Sequence, residues 1–300
     1  MAANSKSQSS KIPLYVHRTV GETINIAIDF LRQNWRVALR LSIYLLLPIT
    51  LLHSVGLFTF VKSVSSDYYN SDDLVFFMSS LLFFVGLAVT YTLILTLVQY
   101  YQGSSDGDLS MLTFRYVKKW LWRNFRRVII SMLPIVVLMI IFSGILLLLL
   151  FLPFVSLFAV VAYWILFFVM MMIPIYYVLE HVSLYSAFKR SFSHAKDSWG
   201  SLFGMMFSLS LVVFIILTAT SLPMMVFIFS CDTLTPSGET GVTASMVFDI
   251  ILYLFIVVET FFGYLSMVLV VTALVFHYGR NSRNHDDLAI GDDIENFENL

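Results

Sequence analysis

Catalysis, proton transfer and metal binding all need acids, bases, nucleophiles or ligands that converge on one place, and this chain of 300 residues offers few candidates. Its six histidines are His17, His53, His181, His194, His277 and His285. Four of them fall at or beyond the ends of long apolar stretches, where an interfacial or solvated role accounts for them. Glu180 and His181 are sequence neighbours and do not face each other on a helix. His194 and Asp197 have the i,i+3 spacing of a local hydrogen bond. Met170-Met171-Met172 offers soft metal ligands, but consecutive residues point in different directions around a helix, which favours packing. The single cysteine, Cys231, excludes an intramolecular disulfide and any multi-cysteine metal site. No H-E-x-x-H, phosphate-binding G-x-x-x-x-G-K-[ST] or G-x-S-x-G is present. The reading is a non-enzymatic chain with no metal and no cofactor.

Two ionisable residues stand apart because they sit deep inside apolar sequence: His53 and Glu259. A carboxylate in hydrocarbon must be neutralised, paired or hydrated, so such a residue is a functional candidate by default. Counted at 1.5 Å per residue from the ends of their stretches, they lie at similar depths of about 12 and 14 Å. A His53–Glu259 pair is therefore expected if their helices are neighbours.

The elements that carry these residues follow from composition. Apolar residues make up 59% and charged residues 12%, against about 45–50% and about 25% in soluble domains. Too few charges remain to cover a water-facing surface, so lipid is the solvent for most of the chain. A spanning helix needs about 20 mainly apolar residues, and six stretches qualify: 37–61, 74–100, 128–152, 154–179, 201–230 and 250–277. Residues 128–179 far exceed one membrane thickness, and Pro153 divides them into two helices across a tight turn, because proline cannot continue the ladder. Pro48, Pro134, Pro174 and Pro223 fall inside four of the spans and are expected to kink them.

Seventeen of the eighteen Lys and Arg lie before or at the start of the first span, between spans two and three, between four and five, or after six. The opposite connections hold only Lys62, beside Asp67, Asp72, Asp73, Asp232, Glu239 and Asp249. Short cytoplasmic loops carry the Lys/Arg excess, so both termini are expected in the cytoplasm. The net charge of −1 excludes a global nucleic-acid footprint. Residues 1–17 read as a flexible N-terminal segment, 18–280 as the membrane domain and 281–300 as an acidic, disordered cytoplasmic tail.

Each basic segment also reads as an amphipathic helix leading into a span. In the first, Val20, Ile24, Ala27, Leu31 and Trp35 share a face; in the second, Leu112, Tyr116, Trp120 and Phe125; in the third, Tyr185, Phe188, Phe192, Ala195 and Trp199. Asn34-Trp35-Arg36 and Asn124-Phe125-Arg126 match at corresponding places, with Ser198-Trp199 a weaker third copy. Asn and Ser are good N-caps, so each is expected to start a spanning helix. The predicted unit is an interfacial helix plus a two-span hairpin, repeated three times. Arg115, Lys118, Lys119, Arg123, Arg126, Arg127, Lys189 and Arg190 are the expected contacts to anionic lipid headgroups.

The runs ETINIAIDFLRQNWRVALRLSIYLLLPI and LYSAFKRSFSHAKDSWGSLFGMM resemble the membrane domain fused to some bacterial glycerophosphodiester phosphodiesterases, and stand-alone six-span inner-membrane proteins of the same layout. Ala187-Phe188-Lys189-Arg190-Ser191 fits the segment that leads through an aromatic into a span in that family. The resemblance implies a six-span fold in a bacterial inner membrane; no soluble phosphodiesterase domain is present to bring its catalysis. The expectation is a membrane scaffold or accessory subunit that organises lipid or a protein partner through the cytoplasmic helices or acidic tail. The alternative is a small-solute or lipid transporter using Glu259.

Overall fold

The computed structural model describes residues 11–65, 73–104, 109, 112, 114–149, 151–234 and 246–298, with backbone alone past Arg280. It is all α, with no strand among the described residues. The helices are α1 Val20–Gln33, α2 Trp35–Ser65, α3 Asp73–Gly103, α4 Phe114–Leu149, α5 Pro153–Met170, α6 Ile173–Leu179, α7 Leu184–Leu234 and α8 Met246–Glu298. Six apolar segments are long enough to cross a membrane: Trp35–Lys62, Phe77–Gly103, Phe114–Leu149, Phe154–Leu179, Leu184–Ser230 and Met246–Arg280. The chain is thus an integral membrane protein of multi-pass type. The N-terminal residues 1–10 and the connections 66–72 and 235–245 lie outside the described residues.

Proline explains the breaks. Pro153 occupies the first turn of α5, where its missing N–H is not needed, and α4 packs against both α5 and α6. Pro174 goes further than a kink. It cannot donate to the helix behind it, and the fourth span divides there into α5 and α6, separated by Met171 and Met172. Pro48, Pro134 and Pro223 are carried inside α2, α4 and α7 with no break in the helix at the proline. The acidic tail continues α8 as helix to Glu298, where disorder was expected; extension of a helix already nucleated avoids the costly first turn.

The three expected junctions differ from one another. α1 starts with a capping box, in which Thr19 Oγ1 accepts from the Glu22 N–H and the Glu22 carboxylate accepts from the Thr19 N–H at 2.7 Å. That N–H holds the Glu22 carboxyl below its ordinary value. The chain then bends at Asn34 (φ −110°, ψ 15°) and at Ser198 inside α7 (φ −119°, ψ 22°). The Asn34 side chain does not cap the span that follows. Asn34 Nδ2 donates to the Phe30 carbonyl at 2.9 Å, and Ser198 Oγ donates to the His194 carbonyl at 2.8 Å. Each therefore serves the helix it ends, four residues back. Asn124, the expected counterpart of Asn34, lies within unbroken α4 and is fully buried. The second basic segment is a direct extension of its span rather than a separate helix.

The chain forms two compact units. One comprises Met1–Ala38, Ile94–Phe203 and Thr272–Leu300. In it, α1 buries Thr23, Ala27 and Phe30. This stripe shares Ala27 with the expected Val20–Trp35 face, of which Val20, Ile24 and Leu31 are half-buried and Trp35 is exposed. Residues 11–18 are docked there too, rather than forming part of a flexible segment. Ile12 and Leu14 alternate as buried side chains; Lys11 Nζ donates to the Gln102 and Ser104 carbonyls, each at 2.7 Å, and Tyr101 Oη accepts from the Ile12 N–H at 2.9 Å. An ammonium at the α3 C-terminus meets carbonyls that lack helical partners.

The other unit comprises Leu39–Leu93 and Gly204–Val271. Phe248, Leu252 and Ile256 of α8 form its buried cluster, with Leu57, Phe58 and Val61 of α2 and Met224, Phe227 and Ile228 of α7 around it. Lys62 and Asp249 meet in an ion pair with both carboxylate oxygens 2.7 Å from Nζ. The single basic residue expected at that end of the spans is thereby matched by an acid.

Candidate functional site

The basic residues of α4 form a stripe rather than a scatter. At about 100° per residue, Arg115, Lys119, Arg123 and Arg126 fall within an arc of about 80°, and all four are exposed. Trp122 borders the arc on one side and Trp120 on the other. Lys119, Trp120, Trp122, Arg123, Arg126, Arg127 and Ile130 line a cleft of about 550 Å³. The Arg123 guanidinium lies 4.7 Å from the centre of the Trp120 ring, and Trp122 stacks on Phe125 at 6.0 Å. Beyond the cleft, Leu133, Val137, Ile141 and Leu148 fall within the same arc and are exposed. One face of one helix thus carries cations interleaved with indoles and then bare aliphatic surface. A phospholipid likewise passes from an anionic headgroup to acyl chain.

Not every expected headgroup contact stays free. Arg127 is half-buried; its Nη2 donates to the Tyr177 carbonyl at 2.6 Å, Nη1 meets His181 Nδ1, and the guanidinium sits 4.8 Å over the Tyr177 ring. Arg190 pairs with Glu180. These two arginines fasten the end of α6. His181 takes a left-handed φ of 55° just past the Glu180 cap, the conformation that ends many helices and usually calls for glycine or asparagine. Burial, then the Arg127 and Arg123 guanidinium groups, hold the His181 imidazole below its ordinary value, in keeping with a neutral ring accepting from Arg127. Lys118 and Lys189 remain exposed.

The His53–Glu259 pair does not form. His53 Nδ1 lies 3.0 Å from the Tyr264 hydroxyl, which also donates to the Leu82 carbonyl at 3.3 Å. The helices α2 and α8 are neighbours as supposed, and Tyr253 Oη donates to the Leu51 carbonyl at 2.9 Å. What misled the depth argument is rotation: Tyr264 is five residues beyond Glu259, about 140° around α8. Glu259 is half-buried, has no hydrogen bond or ion pair among the described residues, and lines neither cleft described here.

Three polar contacts were outside the sequence reading. Asn124 Nδ2 donates to Thr96 Oγ1 and Gln99 Oε1, each at 2.9 Å. Ser191 Oγ donates at 2.6 Å to the Val169 carbonyl, beside the Pro174 break. Tyr176 Oη meets His194 Nδ1. In the sequence Asn124 stands out only as an N-cap within a basic segment; the other two depend on pairings that no local pattern encodes. Met170, Met171 and Met172 are buried at the α5–α6 break, and no group of three or more His, Cys, Asp or Glu able to hold a metal occurs among the described residues. Compared with family models, with curated proteins and with solved structures, the chain matches none.

Proposed function

We propose that this chain is a non-catalytic scaffold or accessory subunit of a bacterial cytoplasmic membrane, holding anionic phospholipid along α4 with both termini in the cytoplasm. The observation that carries this reading is the basic stripe of Arg115, Lys119, Arg123 and Arg126, bracketed by Trp120 and Trp122 and continued by exposed aliphatic residues. Indoles favour the membrane–water boundary, and each cation near an anionic surface contributes about 1 kcal/mol. The resemblance to the phosphodiesterase-linked membrane domain points the same way, toward a bacterial inner membrane.

Lipid retention tests the reading. Native mass spectrometry of the detergent-extracted chain should show phosphatidylglycerol kept in preference to phosphatidylcholine. Reversing two charges, Lys119→Glu with Arg123→Glu, should reduce that preference about tenfold or more, since about 1 kcal/mol per cation is lost before repulsion is added. Equal retention by both proteins would rule the α4 stripe out as the headgroup site.

Orientation is tested separately. Single cysteines at Ser71 and Ser237 in a Cys231→Ser background should react with an impermeant thiol reagent added to intact cells. Labelling at Ser105 or Ser282 instead would invert the topology.

A further inference from the structure

A second cleft, of about 470 Å³, is lined by His53, Gly56, Leu57 and Phe60 of α2 and by Ser79, Ser80, Phe83 and Phe84 of α3. No charged side chain lines it, so it is unsuited to a headgroup. Its volume is within the usual range of about 300–1,000 Å³ for small-molecule pockets. Phe60, Phe83 and Phe84 are exposed on the outer surface of the spans, so the mouth opens toward lipid. His53 is nine residues before Lys62, about 14 Å inside the span. A ligand would arrive dissolved in the bilayer.

The polar groups in the cleft are few and oriented. His53 and Ser79 are 8% and 7% exposed. The Tyr264 hydroxyl has one proton, and it donates that proton to the Leu82 carbonyl. Both contacts are satisfied together when the hydroxyl accepts from His53 Nδ1–H, and that tautomer leaves a lone pair on Nε2. Nε2 has no protein partner among the described residues, nor does the Ser79 hydroxyl, and neither atom is sealed from the cleft. An acceptor and a hydroxyl thus face the same apolar space, among three phenylalanine rings. Tyr264 is itself held in place: its ring packs where any Cβ on Gly86 would be, 2.3 Å from the ring carbons.

We infer that this cleft binds a lipid-soluble phenol or quinol, whose hydroxyl donates to His53 Nε2 and accepts from Ser79 while its ring packs among Phe60, Phe83 and Phe84. The site is independent of the α4 stripe. Its test uses the full chain in nanodiscs, a radiolabelled decyl-substituted hydroquinone, and subtraction of the signal from empty nanodiscs. Binding should be saturable with one site per chain. The dimethyl ether of the same compound, which keeps the ring and tail but has no hydroxyl, should compete at least tenfold more weakly. Ser79→Ala and His53→Leu should each weaken binding at least tenfold. Should His53→Leu fail to fold, the ether comparison on the unaltered protein still decides the question. Absence of saturable binding, or an ether that competes as well as the quinol, would overturn the assignment.

Discussion

Replacing Gly279 with alanine is expected to destabilise the protein by about 3 kcal/mol, near the upper end of the usual overpacking range, and to release residues 11–18. A Cβ at position 279 would lie 2.4 Å from the Leu14 carbonyl oxygen and 2.9 Å from its carbon. Those are backbone atoms, which cannot rotate away as a side-chain tip can. The segment they belong to is held from both ends. Lys11 is bound to the Gln102 and Ser104 carbonyls, Gln102 Nε2 donates to the Ile12 carbonyl at 3.2 Å, and Arg18 donates to the Pro13 and Leu14 carbonyls. Arg18 also lies 5.7 Å over the Phe276 ring, and Tyr15 packs edge-on against Tyr278. The added methyl must therefore shift α8 or peel the segment off. Thermal unfolding in detergent measures the loss, and trypsin reports its cause: Arg18, buried at 6% exposure, should become a cleavage site. Unchanged melting together with an unchanged tryptic pattern would show that the contact is looser than the structure places it.

Asn124→Asp should cost more than Asn124→Leu, although it changes a single side-chain group. Asn124 is 0% exposed and uses its amide N–H groups on Thr96 Oγ1 and Gln99 Oε1, while its own Oδ1 has no partner. Leucine removes both hydrogen bonds. Contacts of this kind inside membranes average about 0.6 kcal/mol and reach about 1.7, so a loss of about 1–3 kcal/mol is expected. Aspartate removes the same donors and sets carboxylate oxygens against two oxygens that had been accepting. An uncompensated buried charge costs about 3–5 kcal/mol, so this variant should unfold first in a side-by-side detergent melt. Equal melting of the two variants would mean that water or a neighbouring cation reaches position 124.

Much of the architecture follows from composition and charge alone. A bilayer demands helices of about 20 apolar residues, and six such stretches reappear in six spanning segments. Four keep their expected bounds within a few residues, while the third and fifth begin earlier, at Phe114 and Leu184, because the basic segments run into them as helix. The turn at Pro153 follows from a backbone donor that proline lacks, and that property needs no tertiary context. The Lys/Arg asymmetry is likewise a property of the chain, whatever its fold.

Side-chain partnership is different, because it depends on how each helix is rotated and on which helix lies beside it. Asn34 and Asn124 share a local pattern, yet one ends a helix and the other is buried in the middle of one. Thr96 and Gln99 reach Asn124 inside α4, whereas Asn34 turns back to its own helix at Phe30. Depth along the span was computable for His53 and Glu259; azimuth was not, and Tyr264 occupies the position that faces His53. Likewise, the cations of α4 were visible as a cluster, but their division into an exposed stripe and an arginine bound to Tyr177 and His181 required α6 to be in place. Hydrophobic length is a one-dimensional quantity, and the chain carries it residue by residue. Hydrogen bonds between helices are set by rotation and neighbourhood, which arise only when the helices pack.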